Sequence, residues 1–204
     1  MNNRVNINQK AAKNVTADAV GVSFSENKHW YIAIVKHGNE KICCEKLLEY
    51  GYESYIPMQR VLRQYANGRK KWVDRIVITS KVFVHVTESD RLKNVVTLPF
   101  ISRFMVDPSR KNKNNGRAAV AIVPDKEMEM FRHMMDQDEI PVNFEENATQ
   151  YSSGDKVRVV YGKLAGLEGT IVRVADNKHR LYVLLDILGA AYVEIDSSYL
   201  EFNR

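Results

Sequence analysis

Between Arg63 and Arg75 the chain interleaves cations with aromatic rings: Arg63, Arg69, Lys70, Lys71 and Arg75 surround Tyr65 and Trp72. Cations neutralise phosphates and exposed rings stack on bases, so this pattern fits a nucleic-acid surface. Lys111, Lys113 and Arg117 form a second basic stretch, inside a loop so polar that it reads as a solvated surface. Bond-making chemistry has less support. The histidines at 29, 37, 85, 133 and 179 show no metal-ligand spacing. Gly162-x-x-x-Gly166-x-x-Gly169 lacks the Gly-Lys-Ser/Thr ending of a nucleotide loop, and no Gly-x-Ser-x-Gly elbow occurs. Cys43 and Cys44 are adjacent and suit a small core position better than a nucleophile. Carboxylates cluster only in the acidic stretch 136–150, which lacks a rigid scaffold. The expectation is a binding protein, not an enzyme, with no cofactor and no metal.

The elements that position these residues follow from periodicity. His29 to Val35 is a run of apolar and β-branched residues, the pattern of a buried strand. Gly38-Asn39 opens a helix over residues 40–50, with Cys43, Leu47 and Tyr50 on one face and Gly51 just past its end. Residues 52–62 read as an extended segment interrupted by Pro57, hence an edge strand. Asn67-Gly68 predicts a hairpin turn, after which Trp72 to Ile78 resumes as a strand. Lys81 to Val86 alternates, with Val82, Val84 and Val86 on one face and Lys81, Phe83 and His85 on the other. Trp30 and Tyr31 are neighbours and therefore point to opposite faces. Ser89-Asp90 predicts the cap of a short helix that Pro99 stops. Ile101 to Val106 and Ala118 to Val123 are further strand candidates. Pro124-Asp125 opens a helix with Met128, Phe131 and Met135 on one core-facing side.

Charge divides the chain. Residues 28–110 carry 15 Lys/Arg against 8 Asp/Glu, residues 118–150 carry 2 against 8, and residues 151–204 carry 7 against 7. A basic block, an acidic stretch and a neutral block imply two domains and a linker. The expected organisation is a disordered arm over 1–27, an α+β domain over 28–135, an acidic linker over 136–152 and a small all-β barrel over 153–204. The first domain is an antiparallel sheet with flanking helices. The second is built from short valine-rich strands punctuated by glycine, with a hairpin turn at Asp176-Asn177. No stretch approaches the ~18 apolar residues of a membrane span. The first 27 residues hold no apolar leader. A reduced cytoplasmic setting, no membrane partner and a monomer are expected.

The segment from Gly154 through Val172 resembles a KOW motif: a Gly-Asp entry, alternating valines, the Gly162/Gly166/Gly169 turn, then a second strand. The turn needs positive φ and close strand approach. His29 to Val35 with its helix, and Glu53-Ser-Tyr-Ile-Pro57, resemble the start of a NusG-type N-terminal domain. Residues 55–60, 69–73 and 80–84 are similar to the UpxY-type antiterminators of polysaccharide operons. Thr79-Ser80-Lys81 stands where housekeeping members carry Pro-Gly-Tyr. The resemblance implies a factor for transcription elongation and antitermination. Its N-terminal domain would bind the clamp helices of RNA polymerase through Trp30, Tyr31, Lys81 and Phe83. Arg63, Arg69, Lys70, Lys71, Trp72 and Arg75 would face nascent RNA or non-template DNA. The KOW barrel would recruit a ribosomal protein or the termination factor Rho through Leu164, Leu167 and Ile187, and would remain a barrel. A ribosome-associated or general RNA-binding KOW protein is the competing reading.

Overall fold

The computed structural model describes residues 27–112, 116–137, 140–146, 154–173, 179–185 and 187–202. Most of the expected arm, part of the acidic linker and the Asp176-Asn177 turn lie outside the described residues. The elements are β1 (His29–Ile34), α1 (Glu40–Glu49), β2 (Glu53–Tyr55), β3 (Met58–Gln64), β4 (Lys70–Ile76), β5 (Lys81–Val86), α2 (Glu88–Lys93), β6 (Arg103–Phe104), β7 (Val106–Lys111), β8 (Ala118–Val120), β9 (Ile122–Val123), α3 (Asp125–Met135), β10 (Asn143–Glu145), β11 (Asp155–Val159), β12 (Glu168–Arg173), β13 (His179–Leu185), β14 (Gly189–Ile195) and β15 (Leu200–Phe202). The architecture is α+β, and among the described residues the C-terminal region consists of strands and one short 3-10 turn. Among the described residues no helix is long and apolar enough to cross a membrane. Two compact units result: one runs up to Ile56 and resumes over Thr79–Ile122, and the other combines Pro57–Ile78 with the chain from Val123 onward.

The first unit centres on a sheet with the order β2-β5-β1-β6. Pro57 ends β2, which keeps that strand short and at the edge of the path. The antiparallel register sets Trp30 opposite His85 and Ile32 opposite Phe83. Tyr55 stands opposite Phe83 from the other side. Tyr31, Ala33, Val82, Val84 and Ser54 occupy the reverse face. There Cys44 of α1 meets Ser54, Sγ to Oγ, at 3.1 Å. Trp30, Tyr31, Ile32, Ala33, Val82, Phe83 and Val84 are all buried. Both faces are therefore covered, as an unbroken apolar strand requires. Gly51 adopts φ 81° just past α1, where a helix C′ residue belongs. The cap of α2 differs from the expected Ser89: the Thr87 hydroxyl accepts from the Asp90 amide at 3.1 Å, so the helix begins earlier and Ser89 lies within it. The stretch 101–106 is not one strand but the short β6 followed by the start of β7. The polar stretch 109–117 is partly strand, since β7 continues to Lys111 and pairs with β8 around an irregularity.

The second unit contains the β3–β4 hairpin, α3 and an antiparallel sheet ordered β10-β14-β13-β12-β11-β15. Leu181, Val183 and Leu185 of β13 face the core with Ile171, Val193 and Ala191 across the ladders. Gly162 and Gly166 have φ of 80° and 88°, and a Cβ at Gly169 would stand 2.5 Å from the Tyr182 carbonyl oxygen. These are the turn and close approach that the glycine spacing anticipated. Met128, Phe131 and Met135 of α3 are buried together with Met134. Helix α3 packs against β13, and Lys126 Nζ donates to Glu168 Oε2 at 2.8 Å. Inside the stretch read as a linker, Asn143–Glu145 pairs with β14 as a sixth strand.

Candidate functional site

Three sets of residues carry the functional expectations, and each has its own surroundings. In the first unit, Trp30 stacks on His85 with ring centroids 4.7 Å apart and planes 13° off parallel. His85 Nδ1 lies 2.8 Å from Glu53 Oε2. Phe83 is fully buried and tilts against Tyr55. Tyr31 is buried on the opposite face and donates its hydroxyl to Glu88 Oε2 at 2.9 Å. Glu88 also accepts two bonds from Arg91, from Nε at 2.7 Å and Nη2 at 2.6 Å. The Arg91 guanidinium lies over the rings of Tyr31 and Phe104, at 5.2 and 5.3 Å. Burial, reinforced by Glu88, pushes the Tyr31 phenol up to about 12. The hydrogen bonds from Arg91 hold the Glu88 carboxyl below its ordinary range, and Glu88 in turn raises Arg91. The structure thus separates Trp30 and Phe83 from Tyr31 by a full sheet thickness and makes all three interior side chains.

Lys81 is half-buried at the start of β5, just after the altered turn. Ser80 there adopts φ 59°, a left-handed conformation unusual for serine. Its amide donates to Glu40 Oε1 at 2.7 Å and its carbonyl accepts from Val35 N at 3.0 Å. Glu40 is itself buried. Two hydrogen bonds therefore fix the backbone immediately before Lys81.

In the second unit, β3 and β4 form a two-stranded ribbon whose residues Arg63, Arg69, Lys70, Lys71 and Trp72 are exposed. The turn closes with Gly68 at φ 77° and with the Arg69 amide donating to Asn67 Oδ1 at 3.1 Å. Arg60 lies over the Trp72 ring at 5.6 Å and Arg63 over the Tyr65 ring at 5.5 Å. Arg75 differs from the other cations: its Nη2 donates to the Val142 carbonyl at 2.7 Å. Opposite it, buried Gln59 donates to the Ile140 carbonyl at 2.6 Å and accepts from the Val142 amide at 3.0 Å. The side-chain amide of Gln59 stands in for a strand on either side of Pro141, which has no N–H of its own. Sequence reading missed this clasp, because a lone glutamine in a basic strand carries no pattern. The Glu88–Arg91 pair had a signal, an i,i+3 spacing of opposite charges. In the C-terminal sheet Leu164 and Leu167 are buried and Ile187 is half-buried, so of these three the surface belongs mainly to Ile187.

Residues 28–132 match the family model described as NusG, transcription termination factor. The chain belongs to the NusG family. A transcription termination/antitermination protein NusG from Vibrio vulnificus is 27% identical over 192 residues, covering 88% of this chain and 98% of that protein. The solved structure of domain interaction in Thermotoga maritima NusG is 19% identical with a TM-score of 0.43, covering 87% of this chain and 98% of its own. The MjSpt4:Spt5 complex is 13% identical with a TM-score of 0.27, covering 85% and 95%. Within the NusG family match lie the whole first sheet, the ribbon and the first eight residues of α3.

Proposed function

We propose that this chain is an operon-specific NusG-family factor of the UpxY type, which acts on transcribing RNA polymerase by binding alone. The reading is carried by the exposed ribbon within the family-matched residues, where six cations face a single carboxylate over positions 58–76. Such a ribbon is attracted to the nucleic acid that surrounds a polymerase. The domain over 28–135 docks on the polymerase clamp helices at the sheet end marked by Lys81, just after Ser80, whose backbone Glu40 and Val35 hold. Trp30, Tyr31 and Phe83 support that surface from within. The KOW domain over 153–204 recruits a second partner, a ribosomal protein or Rho, with Ile187 at the contact and Leu164 and Leu167 behind it.

The test uses full-length protein. It should retain RNA polymerase in a pull-down and increase read-through of a terminator in run-off transcription. Lys81→Glu should lower retention while leaving the fold intact, as followed by circular dichroism. Failure of the wild-type chain to retain polymerase overturns the reading.

A further inference from the structure

Glu40 opens α1 and is only 1% exposed. A buried carboxylate is ordinarily satisfied by several donors. Here Oε2 is buried and has no hydrogen-bond partner among the described residues. Oε1 accepts from the Ser80 amide at 2.7 Å, and the exposed His37 ring stands off at 3.7 Å. A helix N-terminus favours a negative charge, which helps to tolerate the burial. The helix does not use the side chains of its first turn as caps, since Asn39 makes no side-chain cap bond either. The hydrogen bond of this carboxylate goes instead to a turn 40 residues along the chain.

That turn carries the one non-glycine residue with positive φ among the described residues, Ser80 at 59°. Glycine adopts this conformation freely, whereas a Cβ makes it unfavourable. The Ser80 carbonyl accepts from Val35 N at 3.0 Å, so the peptide groups on both sides of its Cα are held. Thr79 is exposed, which places the turn at the surface. Lys81 follows directly as the first residue of β5 and pairs with Ile34. The fold alone does not require this arrangement, because a glycine at position 80 would make the same turn without a buried carboxylate. Strain that the surroundings over-determine points to a local geometry that matters.

We infer that Glu40 is a positioning residue for polymerase docking: through Ser80 it holds the left-handed turn that presents Lys81. The inference rests on the docking reading above and adds to it a residue that is buried and touches no partner. Released from Glu40, Ser80 relaxes towards the conformations ordinary for serine, and the direction in which the chain enters β5 at Lys81 changes with it. A surface that holds its docking conformation for about a tenth of the time binds about tenfold more weakly. The serine thus makes the docking surface depend on α1.

The test is a set of titrations of full-length protein with purified core RNA polymerase. Glu40→Ala should weaken binding by about tenfold. The same change made on top of Ser80→Gly should cost less than about threefold, because glycine holds the conformation unaided. Glu40→Ala and Lys81→Ala should not add: the double variant should bind within about twofold of the weaker single variant, since both act on one contact. Glu40→Gln keeps an acceptor for the Ser80 amide and should retain most of the affinity. In the free protein, hydrogen exchange at the Ser80 amide should be faster in Glu40→Ala than in wild type. A Glu40 that only stabilised the domain would cost the same affinity with or without Ser80→Gly, and its effect would add to that of Lys81→Ala. Either result overturns the inference, as does unaltered exchange at Ser80. Glu40→Asp keeps the charge but draws the oxygen back from Ser80, and repeats every comparison if circular dichroism shows Glu40→Ala unfolded. Wild-type protein that does not bind polymerase defeats the docking reading and the positioning role together. Wild-type protein that binds, with Glu40→Ala binding equally well, defeats only the positioning role.

Discussion

The first sheet and the β3–β4 ribbon use the same residue types to opposite ends. In the sheet, Arg91 lies over Tyr31 and Phe104 but is matched by Glu88 and buried. In the ribbon, Arg60 and Arg63 lie over Trp72 and Tyr65, which remain exposed, with one carboxylate for six cations. A cation above a ring is therefore no evidence of function until its charge is accounted for. Where a carboxylate completes the set, the group is structural; where positive charge is left over, it is available to a ligand.

The sharpest challenge to this contrast is truncation. Phe83→Ala should cost about 3–5 kcal/mol in urea denaturation, because a fully buried ring leaves a cavity. Trp72→Ala should stay within about 0.5 kcal/mol. Similar costs for the two would erase the distinction. Alkaline titration comes next. Tyr31 keeps its proton in the folded state up to about 12, whereas the unfolded chain releases it near 10. Its contribution, about 2–3 kcal/mol, is complete below pH 10 and lost as the pH climbs towards 12. Tyr31→Phe should flatten that loss. Glu88 acts in the other direction, its contribution being present above the ordinary carboxylate range and falling away in acid. A smaller effect tests the one place where the ribbon behaves like core. Gln59→Ala leaves the Ile140 carbonyl and Val142 amide without their partner, at about 1–3 kcal/mol, and should speed hydrogen exchange at Val142. The smallest effect is at the turn before Lys81. Ser80→Gly relieves about 1–2 kcal/mol of left-handed strain but adds about 0.5–1 kcal/mol of unfolded-state entropy. The net gain should be below about 1 kcal/mol, read as a slight rise in Tm.

Much of the fold was legible in the residues. Alternation placed Val82 and Val84 opposite Phe83, and the KOW-like glycine spacing anticipated the Gly162 and Gly166 conformations. The burial of Trp30 and Tyr31 was also written in the chain, since an apolar run without alternation marks a strand covered on both faces. Interface and core aromatics look alike in sequence, so the resemblance assigned Trp30 and Tyr31 to a docking surface although the run itself read as a buried strand. Strand β10 was hidden for another reason. In Asn143-Phe144-Glu145, within an acidic, proline-containing stretch, only Phe144 favours a strand, and the pairing is imposed by β14. The Gln59 clasp depends on residues more than 80 positions away, beyond any local pattern.

That clasp has a mechanical corollary. It grips the backbone on both sides of Pro141, and two residues later the chain enters the six-stranded sheet at Asn143. Tension on that sheet is therefore conveyed to the root of the ribbon with almost no slack, so a load on the C-terminal sheet becomes a tug on β3, the strand that carries Gln59.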